Sequence, residues 1–144
     1  MTYAKYMPTD SRRLAQTIAR LNRRLRQERQ SELSAGQLSV MGSILSLKQP
    51  SPSQLAAVEK ISGPAMTRTL NCLEEAGYIV RVPHPHDGRQ VQIEISERGQ
   101  EALADERQRR DAWLDERLKC LTTEQRTHLR ATITIFENLL EDEE

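Results

Sequence analysis

Apolar residues recur at helical spacing near both ends of the chain. Near the N-terminus, the positions i, i+4, i+7 and i+11 are Leu14, Ile18, Leu21 and Leu25. Near the C-terminus, the same spacing is found at Leu129, Ile133, Phe136 and Leu140. Each stripe predicts a helix with one apolar face. We therefore predict an N-terminal helix within residues 10–31 and two C-terminal helices within residues 97–141.

Capping residues predict where the helices begin. Asp10 or Ser11 can cap the first helix, and Ser96 can cap a helix that runs to about Lys119. A Ser or Thr followed three residues later by Gln has the capping-box form. The pairs of this form are Ser34–Gln37, Ser51–Gln54 and Thr122–Gln125. The helix after Ser34 should bury Leu38, Met41 and Leu45 and extend toward Leu47, and the helix after Ser51 should end near Glu59.

A further helix is predicted to begin at Ser62, with Pro64 in a first turn that tolerates proline. Its apolar face consists of Met66, Leu70 and Leu73. At about 100° per residue, the opposite face is small and polar and carries a single guanidinium. This polar face comprises Pro64, Thr67, Arg68 and Asn71. Its size and chemistry suit the major groove of DNA.

A β-hairpin should follow that helix. Gly77 stands where a left-handed C-terminal cap is expected. Apolar residues are predicted to alternate with polar ones along the two strands and to form one apolar side. These residues are Ile79, Val82, Val91, Ile93 and Ile95. The polar loop between the strands holds Asp87-Gly88-Arg89, and Ser96 and Gly99 close the second strand. The short helix ending near Glu59 and the helix beginning at Ser62 together make a helix-turn-helix. A helix-turn-helix with a hairpin beside it forms a winged DNA-reading module.

The segment from Ser62 to Arg81 (SGPAMTRTLNCLEEAGYIVR) and the motif Asp87-x-Arg89 followed by Ile95-Ser96-x-x-Gly99 resemble the MarR family of winged helix-turn-helix transcription regulators. The resemblance extends over essentially the whole chain. It implies a mainly α fold with a small β-hairpin wing, in which residues 34–95 form the winged lobe. It also implies that residues 10–31 and 97–141 are dimerisation helices of a homodimer, so that residues 1–144 are one MarR-type domain.

The resemblance further assigns roles to individual residues. The recognition helix would enter the major groove of double-stranded DNA, the wing arginine would reach the minor groove, and the aspartate would hold that arginine through an ion pair. The residues carried over are Ser62, Gly63, Pro64, Thr67 and Arg68 for the groove, Asp87 and Arg89 for the wing, and Arg98 for a phosphate. Asn71 joins the groove residues because it lies on the same polar face of the helix. Pro64 and Gly63 replace larger or more polar residues of the family, which lowers the expected density of base contacts.

Composition and charge agree with a single-domain DNA binder. The chain of 144 residues has zero formal net charge, 37% apolar residues and 29% charged residues. The charge is segregated, because residues 1–60 carry ten Lys/Arg against four Asp/Glu, whereas residues 100–144 carry seven against twelve. DNA meets a local field, so a neutral total is compatible with binding. We interpret the arginines from Arg12 to Arg29 as surface and intersubunit residues, with a second DNA site as the alternative.

Other chemistries have little support. His84, His86 and Asp87 lack a fourth metal ligand, so neither a metal nor another cofactor is expected. Cys72 and Cys120 have no CxxC partner, and Cys72 is interpreted as a small buried side chain. Peroxide-sensing members of the family carry the reactive cysteine in the first helix, and this chain has none there. No phosphate loop or catalytic triad spacing is found, so an enzyme is not expected.

The expected partners follow from the same interpretation. The chain has no long apolar run and no signal-like N-terminus, which predicts a cytoplasmic protein without membrane contact. Many members of the resembled family bind a small anionic or lipophilic effector. Tyr3, Tyr6, Trp113 and Phe136 could line such a crevice, although packing is the simpler role for Trp113 and Phe136. The alternative function is a winged-helix module that binds protein instead of DNA.

Overall fold

The fold is mainly helical with one β-hairpin, as predicted. The structure is a computed structural model that describes residues 8–28 and 31–141. Its elements are α1 (Pro8–Gln27), α2 (Ala35–Leu47), α3 (Pro52–Glu59), α4 (Gly63–Glu75), β1 (Ile79–Pro83), β2 (Val91–Ile95), α5 (Glu97–Leu118) and α6 (Thr123–Glu141). The chain forms two compact units, one extending to Arg109 and one beginning at Arg110. No helix within the described residues is long and apolar enough to cross a membrane.

The predicted capping residues largely define these helices. Both halves of the capping box form at Ser34 and at Ser51, and Thr122 exchanges hydrogen bonds with Gln125. The first helix differs, because it begins at Pro8, two residues before the predicted cap Asp10, which lies in its first turn. A proline is tolerated there because first-turn N–H groups have no intrahelical partner.

The core of the first unit lies between α2, α3, α4, the hairpin and the start of α5. Its buried apolar residues are Leu33, Leu38, Val40, Met41, Ile44, Leu55, Met66, Leu70, Leu73, Ile79, Ile93 and Leu103. In α2 the prediction was partly wrong, because Leu45 and Leu47 are exposed and Val40 and Ile44 are buried instead. Contacts on two sides, with α3 and with β2, broaden the buried face beyond a single stripe.

The hairpin is antiparallel, and Ile79 pairs with Ile95 while Arg81 pairs with Ile93. Alternating residues of a strand point to opposite faces. Val82 therefore lies on the face opposite Ile79, and the expectation that both belong to one apolar side was wrong. Gly77 adopts the predicted left-handed conformation with φ +81°.

The turn between α2 and α3 is fastened to the second strand. Lys48 and Gln49 both have positive φ angles, 51° and 63°, which cost a non-glycine residue about 1 kcal/mol or more. The N–H of Ile93 donates to the carbonyl of the buried Pro50 at 2.9 Å, and the Gln49 amide donates to Glu94. The hairpin is thereby tied to the start of α3, which fixes the wing beside the helix-turn-helix.

The terminal stripes remain uncovered in a single chain. On α1, Leu14, Ile18 and Leu21 expose 39%, 49% and 45% of their surface. On α6, within the second unit, Ile133 and Leu140 expose 46% and 71%, and helix α6 has no buried residue. Trp113 and Phe136 are half-buried. Tyr3, Tyr6 and Arg29 lie outside the described residues.

Candidate DNA-binding surface

Helix α4 presents the predicted polar face to solvent. Met66, Leu70 and Leu73 are at most 1% exposed, which fixes how the helix is rotated. Consequently the side chains on its opposite face are exposed: Ser62, Gly63, Pro64, Thr67, Arg68 and Asn71. A Cβ added at Gly63 would meet nothing within 4 Å, so this end of the helix offers open space for a DNA backbone to approach.

The two hydroxyls on this face already serve the helix. Ser62 is the N-cap, and its oxygen accepts a hydrogen bond from the N–H of Ala65 at 3.2 Å. The Thr67 hydroxyl donates to the carbonyl of Gly63 at 3.0 Å. Each hydroxyl retains hydrogen-bonding capacity, since a hydroxyl has one donor and two acceptor sites. Ser62 can still donate to a phosphate oxygen, whereas Thr67 can still accept from a base or a water molecule.

Arg81 on β1 is a member of this surface that sequence reasoning missed. Its guanidinium donates to the Asn71 side-chain oxygen at 2.8 Å and to the Glu74 carboxylate at 3.1 Å. The side-chain amide of Asn71 is therefore turned with its oxygen toward the hairpin, which leaves its NH₂ group as the donor to present to DNA. Only the return of the chain after Gly77 brings these residues together, so no local spacing could have indicated the contact.

The wing loop is held by a short series of hydrogen bonds. The N–H of His84 donates to the carbonyl of Gln90 at 3.0 Å, and the N–H of Gln90 donates to the carbonyl of Asp87 at 3.0 Å. Asp87 and Arg89 are both exposed, as a DNA-contacting tip requires. The loop lies beside the turn that contains Lys48 and Gln49, and the two segments line a shared polar recess.

Asp87 organises the wing differently from the ion pair that the resemblance implied. Its carboxylate accepts a hydrogen bond from the backbone N–H of Arg89 at 3.1 Å, which is an Asx turn. Within the described residues, no ion pair joins Asp87 to the Arg89 guanidinium. The short aspartate side chain reaches the backbone two residues ahead, and the long arginine side chain is thereby left to project from the loop.

The Ser96-x-x-Gly99 motif joins the end of α4 to the start of α5. Ser96 donates through its N–H to the carbonyl of Tyr78 at 3.0 Å and through its hydroxyl to the carbonyl of Gly77 at 2.5 Å. The same hydroxyl accepts from the N–H of Gly99 at 3.1 Å. A Cβ at Gly99 would lie 2.2 Å from the Tyr78 carbonyl oxygen, so glycine is required by this close approach.

Arg98 lies at the same joint. Its guanidinium stacks over the ring of Tyr78 at 4.8 Å from the ring centroid. Cation–π stacking of this kind holds a long side chain in one orientation while the donor groups stay available at the edge of the guanidinium. The family resemblance implied a phosphate contact for Arg98, and the stacking on Tyr78 orients the side chain for such a contact.

The remaining candidates are the two cysteines and the possible metal ligands near the wing. Cys72 is exposed, so the expectation of a buried side chain was wrong, because residue 72 lies outside the Met66, Leu70 and Leu73 face. Cys120 is also an exposed free thiol. Among residues 8–28 and 31–141, no group of three or more His, Cys, Asp or Glu side chains has a metal-binding arrangement.

Comparison with known proteins places this surface in a family. A sequence model of the MarR family matches residues 33–91. An HTH-type transcriptional regulator of Mycobacterium tuberculosis is 35% identical over 130 residues, which cover 90% of this chain and 91% of that protein. The chain belongs to the MarR family. The matched residues 33–91 of this MarR-family chain include α4, its hydrogen-bonded partners on β1 and the whole wing loop.

Solved structures agree with that family assignment. A transcriptional regulator of Pseudomonas aeruginosa superposes with a TM-score of 0.83 and 30% identity, covering 94% of this chain and 98% of that chain. Streptococcus pneumoniae FabT in complex with DNA has the same fold, with a TM-score of 0.72, 20% identity and 94% and 97% coverage. The chain is thus a winged-helix transcriptional regulator of the MarR type, and its relatives carry regulatory rather than enzymatic names.

Proposed function

We propose that this protein is a sequence-specific DNA-binding repressor that acts as a homodimer on a pseudo-palindromic operator and is not an enzyme. The observation that carries the proposal is the exposed polar face of α4, which has a single arginine, Arg68, and a wing loop on the same lobe that projects Arg89. A buried apolar stripe fixes which side of the helix faces outward. Since its target is chromosomal DNA, we expect the protein to act in the cytoplasm.

Within this proposal, residues of α4 read the major groove. Arg68 can make a bidentate contact with guanine, and Asn71 can donate to a base acceptor through the NH₂ group that Arg81 leaves outward. The N-terminal residues Ser62, Gly63 and Pro64 with Thr67 permit close approach and phosphate contact. Arg89 enters the minor groove at an A·T-rich flank, with the loop shaped by Asp87, and Arg98 binds a phosphate.

The homodimer follows from the uncovered apolar stripes. Monomeric proteins rarely leave contiguous apolar faces in water, and both α1 and α6 do so in one chain. A second copy supplies the cover with two-fold symmetry, and an isologous dimer on DNA requires a two-fold related operator. We propose that α1 and the helices within residues 97–141 form this dimer interface and that residues 34–95 bind DNA.

One further expectation rests on the family alone. We propose that a small anionic or lipophilic effector releases the protein from DNA, as it does in many members of the family.

The competing function is a winged-helix module that binds protein. A protein-binding surface does not require one guanidinium group on the helix and a second on the wing. The presence of Arg68 and Arg89 on one lobe therefore favours DNA as the partner.

The test is recovery of DNA from the protein's own genome, followed by sequencing and footprinting. We expect a pseudo-palindromic site with half-site centres about one helical turn, roughly 10 bp, apart. Binding of the double variant Arg68→Ala/Arg89→Ala should be lost, while Lys119→Ala serves as the control for loss of a positive charge. Lys119 is exposed, pairs with Glu116 and lies in the loop between α5 and α6, outside α4, the wing and the helices of the proposed dimer interface. Failure to retain any specific DNA would support the protein-binding alternative.

A further inference from the structure

His84 accepts hydrogen bonds at the base of the wing loop. Its Nδ1 atom accepts from the backbone N–H of His86 and from the backbone N–H of Asp87, both at 3.1 Å. A ring nitrogen can accept only when it carries no proton. The arrangement therefore requires a neutral imidazole whose single proton is on Nε2.

These hydrogen bonds continue directly to the wing arginine. Asp87, whose N–H is held by His84, accepts the N–H of Arg89 through its carboxylate and the N–H of Gln90 through its carbonyl. The side chains of residues 85–90 are all exposed, so apolar burial contributes little to the order of this loop. Hydrogen bonds that begin at His84 thus determine where Arg89 is presented.

We propose that His84 is a positioning residue of the wing, and that its protonation releases the loop and lowers operator affinity. The inference rests on the proposed function, since it assumes that Arg89 contacts DNA. The sign follows from the acceptor role. The two hydrogen bonds form only with the neutral ring, so the loop is held while the ring is neutral and released when acidification protonates it.

The charged groups around His84 come from two segments. In the loop itself, the charged side chains are Asp87 and Arg89. The His86 ring stands edge-on at 6.1 Å between centroids. From the turn between α2 and α3, Lys48 lines the same recess as His84, and the other side chains that line this recess are neutral.

Protonation has a second effect of opposite sign. A positive charge near DNA strengthens phosphate attraction, so acidification alone raises affinity through any exposed histidine. The ring of His86 takes no part in the hydrogen bonds that hold the loop. Protonation of His86 would therefore add positive charge and leave those hydrogen bonds in place. His86→Asn is therefore the matched control for removing a titrating ring from the same loop.

The experiment measures operator affinity of the full-length protein from about pH 8 to about pH 5.5. His84→Asn supplies a side-chain oxygen that accepts from the same N–H groups and does not titrate, so its loop stays closed. We expect the affinity of wild type relative to His84→Asn to fall about fivefold across this range, as the loss of a net hydrogen bond or two predicts. The operator affinity of His86→Asn relative to His84→Asn should fall on acidification as that of wild type does. His84→Ala should bind the operator weakly at both ends of the pH range.

A measurement without DNA tests the loop itself. Nitrogen-15 shifts of the His84 ring should show the Nε2–H tautomer, and hydrogen exchange at the amides of His86 and Asp87 should accelerate on acidification relative to His84→Asn at the same pH. An Nδ1–H tautomer would overturn the inference. If wild type and His84→Asn show parallel affinity profiles while Arg89→Ala still weakens binding, the inference about His84 is overturned and the proposed DNA-binding function stands. If Arg89→Ala binds as wild type does, the proposed role of the wing fails and the inference fails with it.

Discussion

Arg68 is the residue on α4 from which we expect base recognition. If its guanidinium binds a base edge, Arg68→Ala should cost about 1–3 kcal/mol on the cognate operator and relax the preference at one position of each half-site. Titrations against a set of operators with single base changes measure both effects. An equal loss on every operator would identify Arg68 as a phosphate contact, and Lys119→Ala, in the loop between α5 and α6, provides the control for loss of one positive charge.

Arg89 should show the opposite pattern. A guanidinium in a narrow minor groove is attracted by negative potential and identifies no base. Arg89→Ala should therefore weaken binding to cognate and altered-core operators alike and reduce the salt slope by about one unit per wing. The measurement is operator titration at several salt concentrations with a dimer confirmed by sedimentation. Unchanged affinity and slope would reject the minor-groove role.

Asp87 separates two explanations of how the wing is held. Because its carboxylate oxygen accepts the Arg89 backbone N–H, Asp87→Asn should keep the turn and bind the operator at least as tightly as wild type. Asp87→Ala removes the acceptor and should resemble a milder Arg89→Ala, without adding to it in the double variant. An ion pair instead predicts that Asp87→Asn behaves like Asp87→Ala, and operator titration of the three variants decides between them.

At the scale of elements, a close backbone approach constrains the joint between α4 and α5. A Cβ at Gly99 would overlap the Tyr78 carbonyl oxygen at 2.2 Å, and a backbone atom cannot move aside as a side chain would. Gly99→Ala should lower the free energy of unfolding by about 1–3 kcal/mol or more. Denaturant unfolding measures it.

The matched control for this substitution is another helical glycine. A Cβ at Gly42 in α2 meets nothing within 4 Å, so Gly42→Ala should be neutral or stabilise the protein by up to about 1 kcal/mol. If Gly99→Ala were as stable as Gly42→Ala, the close approach at Tyr78 would not constrain the joint. The hydrogen bonds from Ser96 to Gly77 and Tyr78 connect the residue before α5 to the segment that follows α4.

At the scale of the whole molecule, the prediction is an obligate homodimer. Sedimentation should give twice the mass of one chain at micromolar concentration. Leu21→Glu places a charge in the apolar stripe of α1 and should yield a monomer with weak operator binding, because burying an unpaired carboxylate is costly. Gln16→Glu introduces the same charge at an exposed polar position of that helix and should leave the dimer intact. A wild-type monomer would contradict the assembly.

The sequence by itself determined the elements and the outward face of α4. Caps at Ser34, Ser51, Ser62 and Thr122 are local interactions, and they formed where the spacing to their partners indicated. Helical periodicity likewise determined which residues of α4 are buried. Both depend only on geometry within a few residues, which is why sequence reasoning reached them.

The tertiary structure decided the contacts between segments. Arg81 reaches Asn71 only because the chain reverses at Gly77, and Gly99 requires glycine only because Tyr78 packs against it. The exposure of Leu45 and the burial of Val40 depend on which elements cover α2. Even within the wing, the backbone contacts of His84 and Asp87 replaced an expected ion pair, because hydrogen-bond partners are set by the closed shape of the loop. Spacing along a sequence records neither the reversal of a chain nor the cover that a neighbouring element supplies.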